Sequence, residues 1–143
     1  MAHSNAIISM VVENCFAYNN CPISFVAVRV TPNNVHISEG DQAIVQCEVE
    51  YPAEDQPPQS HIYVNDCKMK GYNHPSWIMR IMESDGACVH NANSETTLCH
   101  THTVYINGTA EAHNGRIYCC ARLESRVCTN SSKITIVGTS SSM

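Results

Sequence analysis

The sequence predicts an all-β protein, an antiparallel β-sandwich stiffened by disulfides, and three observations carry that expectation. Nine cysteines in 143 residues run from Cys15 to Cys128, a density typical of oxidising compartments and not of cytosolic domains. Short runs rich in β-branched residues alternate with turn chemistry and give about seven or eight strands. No amphipathic helix longer than about ten residues interrupts them. At this length one domain is expected at residues 24 to 138, with an N-terminal extension at 1 to 23 and a Ser-rich tail at 139 to 143.

Residues 1 to 23 lack periodicity and place Cys15 and Cys21 in an Asn-rich stretch, which reads as an extension or a small disulfide loop. Ala6 to Val12, after the uncharged Met1 to Asn5, is a poor signal sequence. No window approaches the run of about 20 apolar residues that crosses a bilayer. The expectation is a secreted protein, or an ectodomain that meets a membrane only through a segment outside this chain.

The first strand is Phe25 to Val30, closed by the turn composition Thr31-Pro32-Asn33-Asn34. In Gln42 to Val49 the residues Ala43, Val45, Cys47 and Val49 share one face, so this is a half-buried strand with its cysteine pointing inward. Tyr51 to Ser60, with Pro52, Pro57 and Pro58, reads as an exposed loop. His61 to Val64 and Trp77 to Met82 are short strands that end at Asn65-Asp66 and Ser84-Asp85-Gly86. Thr96 to Ile106 is one long strand or two short ones, and Gly115 to Arg122 and Ser132 to Val137 complete the set.

Within that set, part of the sequence resembles the immunoglobulin superfamily, variable or intermediate type. Gly40 to Cys47 matches the family's approach to strand B, a Gly followed by alternating apolar residues and an inward cysteine. Asn114-Gly115-Arg116-Ile117-Tyr118-Cys119-Cys120 matches the strand F pattern Asp-x-Gly/Ala-x-Tyr-x-Cys, with Tyr118 two positions before Cys120. Tyr118 to Arg122 is also similar to the Tyr-Tyr-Cys-Ala-Arg that ends strand F in antibody-type variable domains, and Lys133 to Val137 suits strand G. The resemblance implies an immunoglobulin-like fold over about Phe25 to Val137. It also implies a core disulfide from Cys47 to Cys120, whose closed ring is worth roughly 4 kcal/mol in chain entropy, and a Tyr118 hydroxyl turned onto backbone at the strand corner. Three positions depart from the pattern. Asn114 stands where Asp is usual, so Arg80 has no salt-bridge partner there; Arg116 takes the small-residue position; and no Trp lies at strand C, where Ile62 or Tyr63 must serve.

The other seven cysteines have no connectivity that sequence alone determines. Strand geometry favours an outward Cys119 cross-linked to Cys128, a loop closed by Cys88 and Cys99, and a pair of Cys15 with Cys21. Cys67 is then the odd thiol, and an exposed Cys67 would permit a disulfide-linked homodimer. Asn107-Gly108-Thr109 and Asn130-Ser131-Ser132 are acceptor triplets for N-glycans.

No metal or other cofactor is expected. Cys88-Val89-His90 and Cys99-His100-Thr101-His102 contain ligand types that zinc accepts, but alternate strand residues put Cys99 and Thr101 on one face and His100 and His102 on the other. No activated Cys/His pair, Gly-x-Ser-x-Gly elbow or phosphate loop is present, so the sequence gives no enzyme signature. Charged residues are only 15% of the chain, the formal net charge is -5, and Lys and Arg are scattered along the sequence from Arg29 to Lys133, which argues against nucleic acid as a partner.

Function must then come from surfaces. In the resembled family, the loops and the outer face of the sheet holding strands C, F and G commonly make the partner contacts. Here that implies Arg122, Leu123, Glu124 and Arg126, with Ile117, Cys119 and Ala121 on the outer face of strand F. The expected role is an extracellular protein-binding domain, receptor-like or adhesive. The alternative is a small secreted disulfide-rich effector or decoy.

Overall fold

The computed structural model describes residues 27–70, 74–89, 96–122 and 125–138. The predicted N-terminal extension, the proposed Cys15 and Cys21 pair, and the tail after Gly138 lie outside them. Among the described residues ten strands are formed: β1 Ala27–Thr31, β2 Asn34–Ser38, β3 Gln42–Pro52, β4 Ser60–Val64, β5 Cys67–Lys68, β6 Ile78–Gly86, β7 Thr97–Asn107, β8 Arg116–Arg122, β9 Arg126–Cys128 and β10 Ser132–Val137. A short 3-10 turn at Ala110–Ala112 leads into β8.

The strands form two packed sheets. One has the order β1-β3-β7-β6; the other has the order β2-β10-β8-β4-β5, with β9 also paired to β8. Among the described residues all pairings are antiparallel except that of β2 with β10. The turn signal at Thr31 to Asn34 marks a change of sheet. β1 pairs with β3, and after Pro32 the chain crosses over so that β2 pairs with β10.

The predicted alternation in β3 is present, with Val45, Cys47 and Val49 fully buried. They meet Ile62, Val64, Ile117 and Ile134 of the opposed sheet in one apolar core, and each such side chain removed from water is worth about 1.5 to 3 kcal/mol. Prolines do not stop β3 where the composition suggests. Tyr51 and Pro52 remain in register with Leu98 and Thr97, and the loop begins only at Ala53.

β4 ends as predicted at Asn65 and Asp66, whose φ angles of 50° and 68° make the turn into β5, a conformation that Asn and Asp tolerate better than most residues. Trp77 does not serve strand C. It is buried at one end of the sandwich, where a Cβ on Gly115 would stand 3.0 Å from its ring. Thr97 to Asn107 is a single long strand, paired along its length with β3.

Candidate functional site

The face that β8 presents to solvent follows from one question: which of two adjacent cysteines points inward. Period-two alternation sends Cys119 and Cys120 to opposite sides of the sheet. In the structure Cys47 is bonded to Cys119, with Cα atoms 6.4 Å apart, and not to Cys120 as the Tyr-x-Cys pattern implies. The physical reason lies in the neighbours. With Cys119 inward, Ile117 and Ala121 are buried with it at 0% and 1% exposure, and Arg116, Tyr118 and Arg122 face outward. The opposite register would drive two arginines into an apolar core without counter-charges, which costs several kcal/mol per ion.

Two further expectations fall with it. Ile117, Cys119 and Ala121 belong to the core and not to the outer face, so Ile117 is no partner-binding residue. The Tyr118 hydroxyl does not reach backbone at a corner; it donates to Asp66 Oδ1 at 3.1 Å. Cys120 is bonded to Cys128, directly opposite it on β9. The predicted cross-link from strand F to its neighbour exists, with Cys120 in place of Cys119.

Beyond that bridge the edge strand steps by one residue, since Cys120 faces Cys128 but Ile117 faces Ser132. Thr129 fills the step. Its N–H donates to the Cys119 carbonyl at 2.9 Å, and its Oγ1 accepts the Cys119 N–H at 3.2 Å.

The outer face of β4, β5, β8, β9 and β10 is thereby built from polar and aromatic residues. Tyr63 and Tyr118 lie opposite each other and stack with ring centres 5.1 Å apart and planes 1° from parallel. The Arg126 guanidinium sits 5.0 Å over the Tyr63 ring, a cation–π contact. Arg122 is the cross-strand partner of Arg126, Lys68 that of Tyr63, and Lys133 that of Arg116. Five of the eight Lys and Arg residues (Lys68, Arg116, Arg122, Arg126 and Lys133) are thus gathered on one sheet face of a chain whose net charge is -5. Cations that are scattered in sequence form a patch in space.

A depression of about 120 Å³ opens on this face beside His61, Tyr63, Lys68, Arg122 and Arg126. Burial, then the nearby Lys68 charge, lower the His61 pKa from 6.5, which leaves the ring neutral at physiological pH. Burial and the hydrogen bond to Asp66 raise the Tyr118 pKa, so its hydroxyl remains a donor. Leu123 and Glu124, expected to contribute, lie outside the described residues.

The two sheet orders are those of the strand sets A-B-E-D and C-F-G, bridged from strand B to strand F by Cys47 and Cys119. Among solved structures, the chain superposes on Rst D1-D2 with a TM-score of 0.53 at 10% identity, covering 78% of this chain and 48% of that one. The fold is the immunoglobulin-like β-sandwich. A chimeric titin Z1Z2 carrying an exogenous KLER peptide from decorin is similar at a TM-score of 0.49 and 12% identity, over 80% of this chain and 97% of that one. A C. elegans twitchin kinase fragment with immunoglobulin domains is similar at 0.48 and 16%, over 78% and 21%. No family model and no curated protein matches the sequence. The chain spans about half the length of the Rst fragment.

The other outer face of this immunoglobulin-like domain is closed. Arg29 on β1 bonds Glu48 at 3.0 Å and Glu50 at 2.8 Å on the neighbouring β3, and Glu48 is only 1% exposed. Thr97 Oγ1 donates to Glu50, and the Val89 N–H donates to Glu48. Cys88 is bonded to Cys99 on β7, which anchors Val89 beside Glu48. Both cysteines are spent in that bridge, which takes the thiolates out of the ligand set weighed from sequence; His90 lies outside the described residues.

Cys67, on β5, is the free cysteine among the described residues and is exposed. Asn130 is exposed and Asn107 is half-buried at the end of β7. Three disulfides among the described residues are the bonds of an oxidising environment. Among the described residues no helix is long and apolar enough to cross a membrane.

Proposed function

We propose that this chain is an extracellular immunoglobulin-like recognition domain that binds an acidic protein surface through the outer face of β4, β8 and β9. The observation that carries this reading is the stacked pair Tyr63 and Tyr118 set among Arg122, Arg126 and Lys68. Tyr and Arg are the side chains most often found at the energetic centres of interfaces. A field of cations on an otherwise acidic chain selects and orients a partner of opposite sign. The Cys120 to Cys128 bridge holds β8 and β9 together, so the platform is ordered before the partner arrives and little entropy is lost on binding. The free Cys67 on β5 supports a disulfide-linked homodimer as an accompanying state, which a non-reducing gel of wild type against Cys67→Ser tests.

The reading is tested with labelled tetramers of the domain on cells. Staining is expected to fall at least tenfold with Arg122→Glu/Arg126→Glu, to persist with Arg80→Glu on the other sheet, and to be removed by protease treatment of the cells. Staining that survives the double reversal, or that vanishes with heparinase and resists protease, would contradict a protein partner at this face.

A further inference from the structure

We propose that Glu83, His100 and His102 form a binding site for a divalent transition metal ion, with Zn²⁺ the best match, at the open edge of the sandwich between β4 and β6. Strand register makes the site. His100 and His102 are alternate residues of β7 and point to the same side, with Asp85 and Glu83 of β6 directly opposite them. One ligand atom each from Glu83, His100 and His102 lie within 4.8 Å of one another. The corresponding edge of a zinc tetrahedron with bonds of about 2.0 to 2.1 Å is about 3.4 Å, so a small inward turn of an exposed Glu83 and of His100 closes the set.

The surroundings are those that hold a ligating imidazole in place. Asp85 Oδ1 lies 2.8 Å from His100 Nδ1, the carboxylate contact that fixes the ring and aims Nε2 at a metal. That Nε2 stands 2.8 Å from Glu83 Oε1, where a metal ion would replace the shared proton. Ser60 Oγ, 2.7 Å from His102 Nε2, fixes the second ring in the same way. Two carboxylates and two imidazoles match a dication in charge.

Next to these groups is a cavity of about 240 Å³ lined by Ser60, Ile62, Met69, Ile81, Glu83 and His102. It is large enough for a water molecule as fourth ligand, the arrangement of a zinc site with an exchangeable position. The soft Cys99 is on the opposite face in its disulfide, so selection rests on imidazole and carboxylate, a donor set suited to zinc and its neighbours and poorly suited to Ca²⁺.

The test uses the full chain, stripped with chelator, in a Cys67→Ser background. Titration with Co²⁺ is read by visible absorption, and titration with Zn²⁺ by calorimetry. One saturable ion per chain is expected, with the intense visible band of four-coordinate cobalt. His100→Gln should abolish the band. Asp85→Asn should weaken Zn²⁺ binding by about 10- to 100-fold, as loss of a second-layer partner does, and Glu83→Gln by at least as much. Unchanged circular dichroism shows that each variant is folded, and these edge positions make that the expected result. Binding no tighter than millimolar, or binding that His100→Gln and Glu83→Gln both leave intact, would overturn the site and leave a proton-bridged ion-pair cluster in its place.

Discussion

The two outer faces of the sandwich carry the same ingredients, charged side chains beside a disulfide, and arrange them to opposite effect. On the β1-β3-β7 face, Arg29 is held between Glu48 and Glu50, and beside the Cys88 to Cys99 bridge the Val89 N–H donates to Glu48. Two carboxylates share one guanidinium and are hidden from water. On the β4-β8-β9 face, the Cys120 to Cys128 bridge joins two paired strands within the sheet. Arg122, Arg126 and Lys68 stay exposed beside two stacked tyrosines. The difference between the faces is burial: on one, charged groups are sealed into ion pairs, and on the other they are exposed to solvent.

The largest effect is expected from breaking the closed face. Arg29→Ala removes the guanidinium that bonds two buried carboxylates and should cost about 3 to 5 kcal/mol in urea unfolding. If the loss were under about 1 kcal/mol, the cluster would behave as an ordinary surface pair.

Removing the bridge on the open face costs less. Cys120→Ser/Cys128→Ser opens a ring with a sequence separation of only 8, worth about 2 to 3 kcal/mol in chain entropy. The urea midpoint checks it, and the same variant should bind its partner more weakly through loss of order in β8 and β9.

A pH measurement compares the edge between the two faces. Burial lowers the His102 pKa from 6.5 to about 4, so as the pH falls through about 6.5 the unfolded chain takes up this proton first. Stability is intact above that pH and is lost between about pH 6.5 and 4, by on the order of 3 kcal/mol in metal-free protein. His100 works in the other direction. Burial opposes its charge, but hydrogen bonds to Asp85 and Glu83 outweigh it and raise its pKa, so its contribution is present at low pH and is lost as the pH rises through the raised value. Unfolding curves of wild type and His102→Gln at pH 7 and 4.5 separate the two, and the variant should show the smaller acid loss.

The smallest change in stability is expected from the open face itself. Arg122→Glu/Arg126→Glu should shift stability by no more than about 0.5 kcal/mol, although it removes binding. A large destabilisation there would mean that those arginines belong to the scaffold.

Most of the sandwich was legible in the sequence, because its strands bury one face and show the period that burial imposes. Val45, Cys47 and Val49 are an example, and they sit inward as the pattern requires. Strands β2 and β5 were not legible. β2 is defined by a partner far away in sequence, β10, and β5 is only Cys67–Lys68, folded back on β4 by the Asn65-Asp66 turn. The register of β8 was misread because Tyr118-Cys119-Cys120 satisfies a family pattern that places the inward cysteine two residues after a tyrosine. The alternation of Ile117, Cys119 and Ala121 against Arg116, Tyr118 and Arg122 held the correct signal.

The candidate binding face was half legible. Arg122 and Arg126 follow from the strand order, but the gathering of Lys68, Arg116 and Lys133 with them is a product of pairing across the sheet. The facing of Glu83 and His102 is equally invisible in one dimension, since only the register of β6 on β7 brings them together.

The register of β8 decides which residues form the open face, so the most direct test is a disulfide map of the unreduced protein. Cys119 and Cys120 share one tryptic peptide, and mass spectrometry must therefore use fragmentation that cleaves the backbone between them. The account predicts Cys47 linked to Cys119 and Cys128 linked to Cys120. A link from Cys47 to Cys120 would turn Tyr118 and both flanking arginines inward and contradict it.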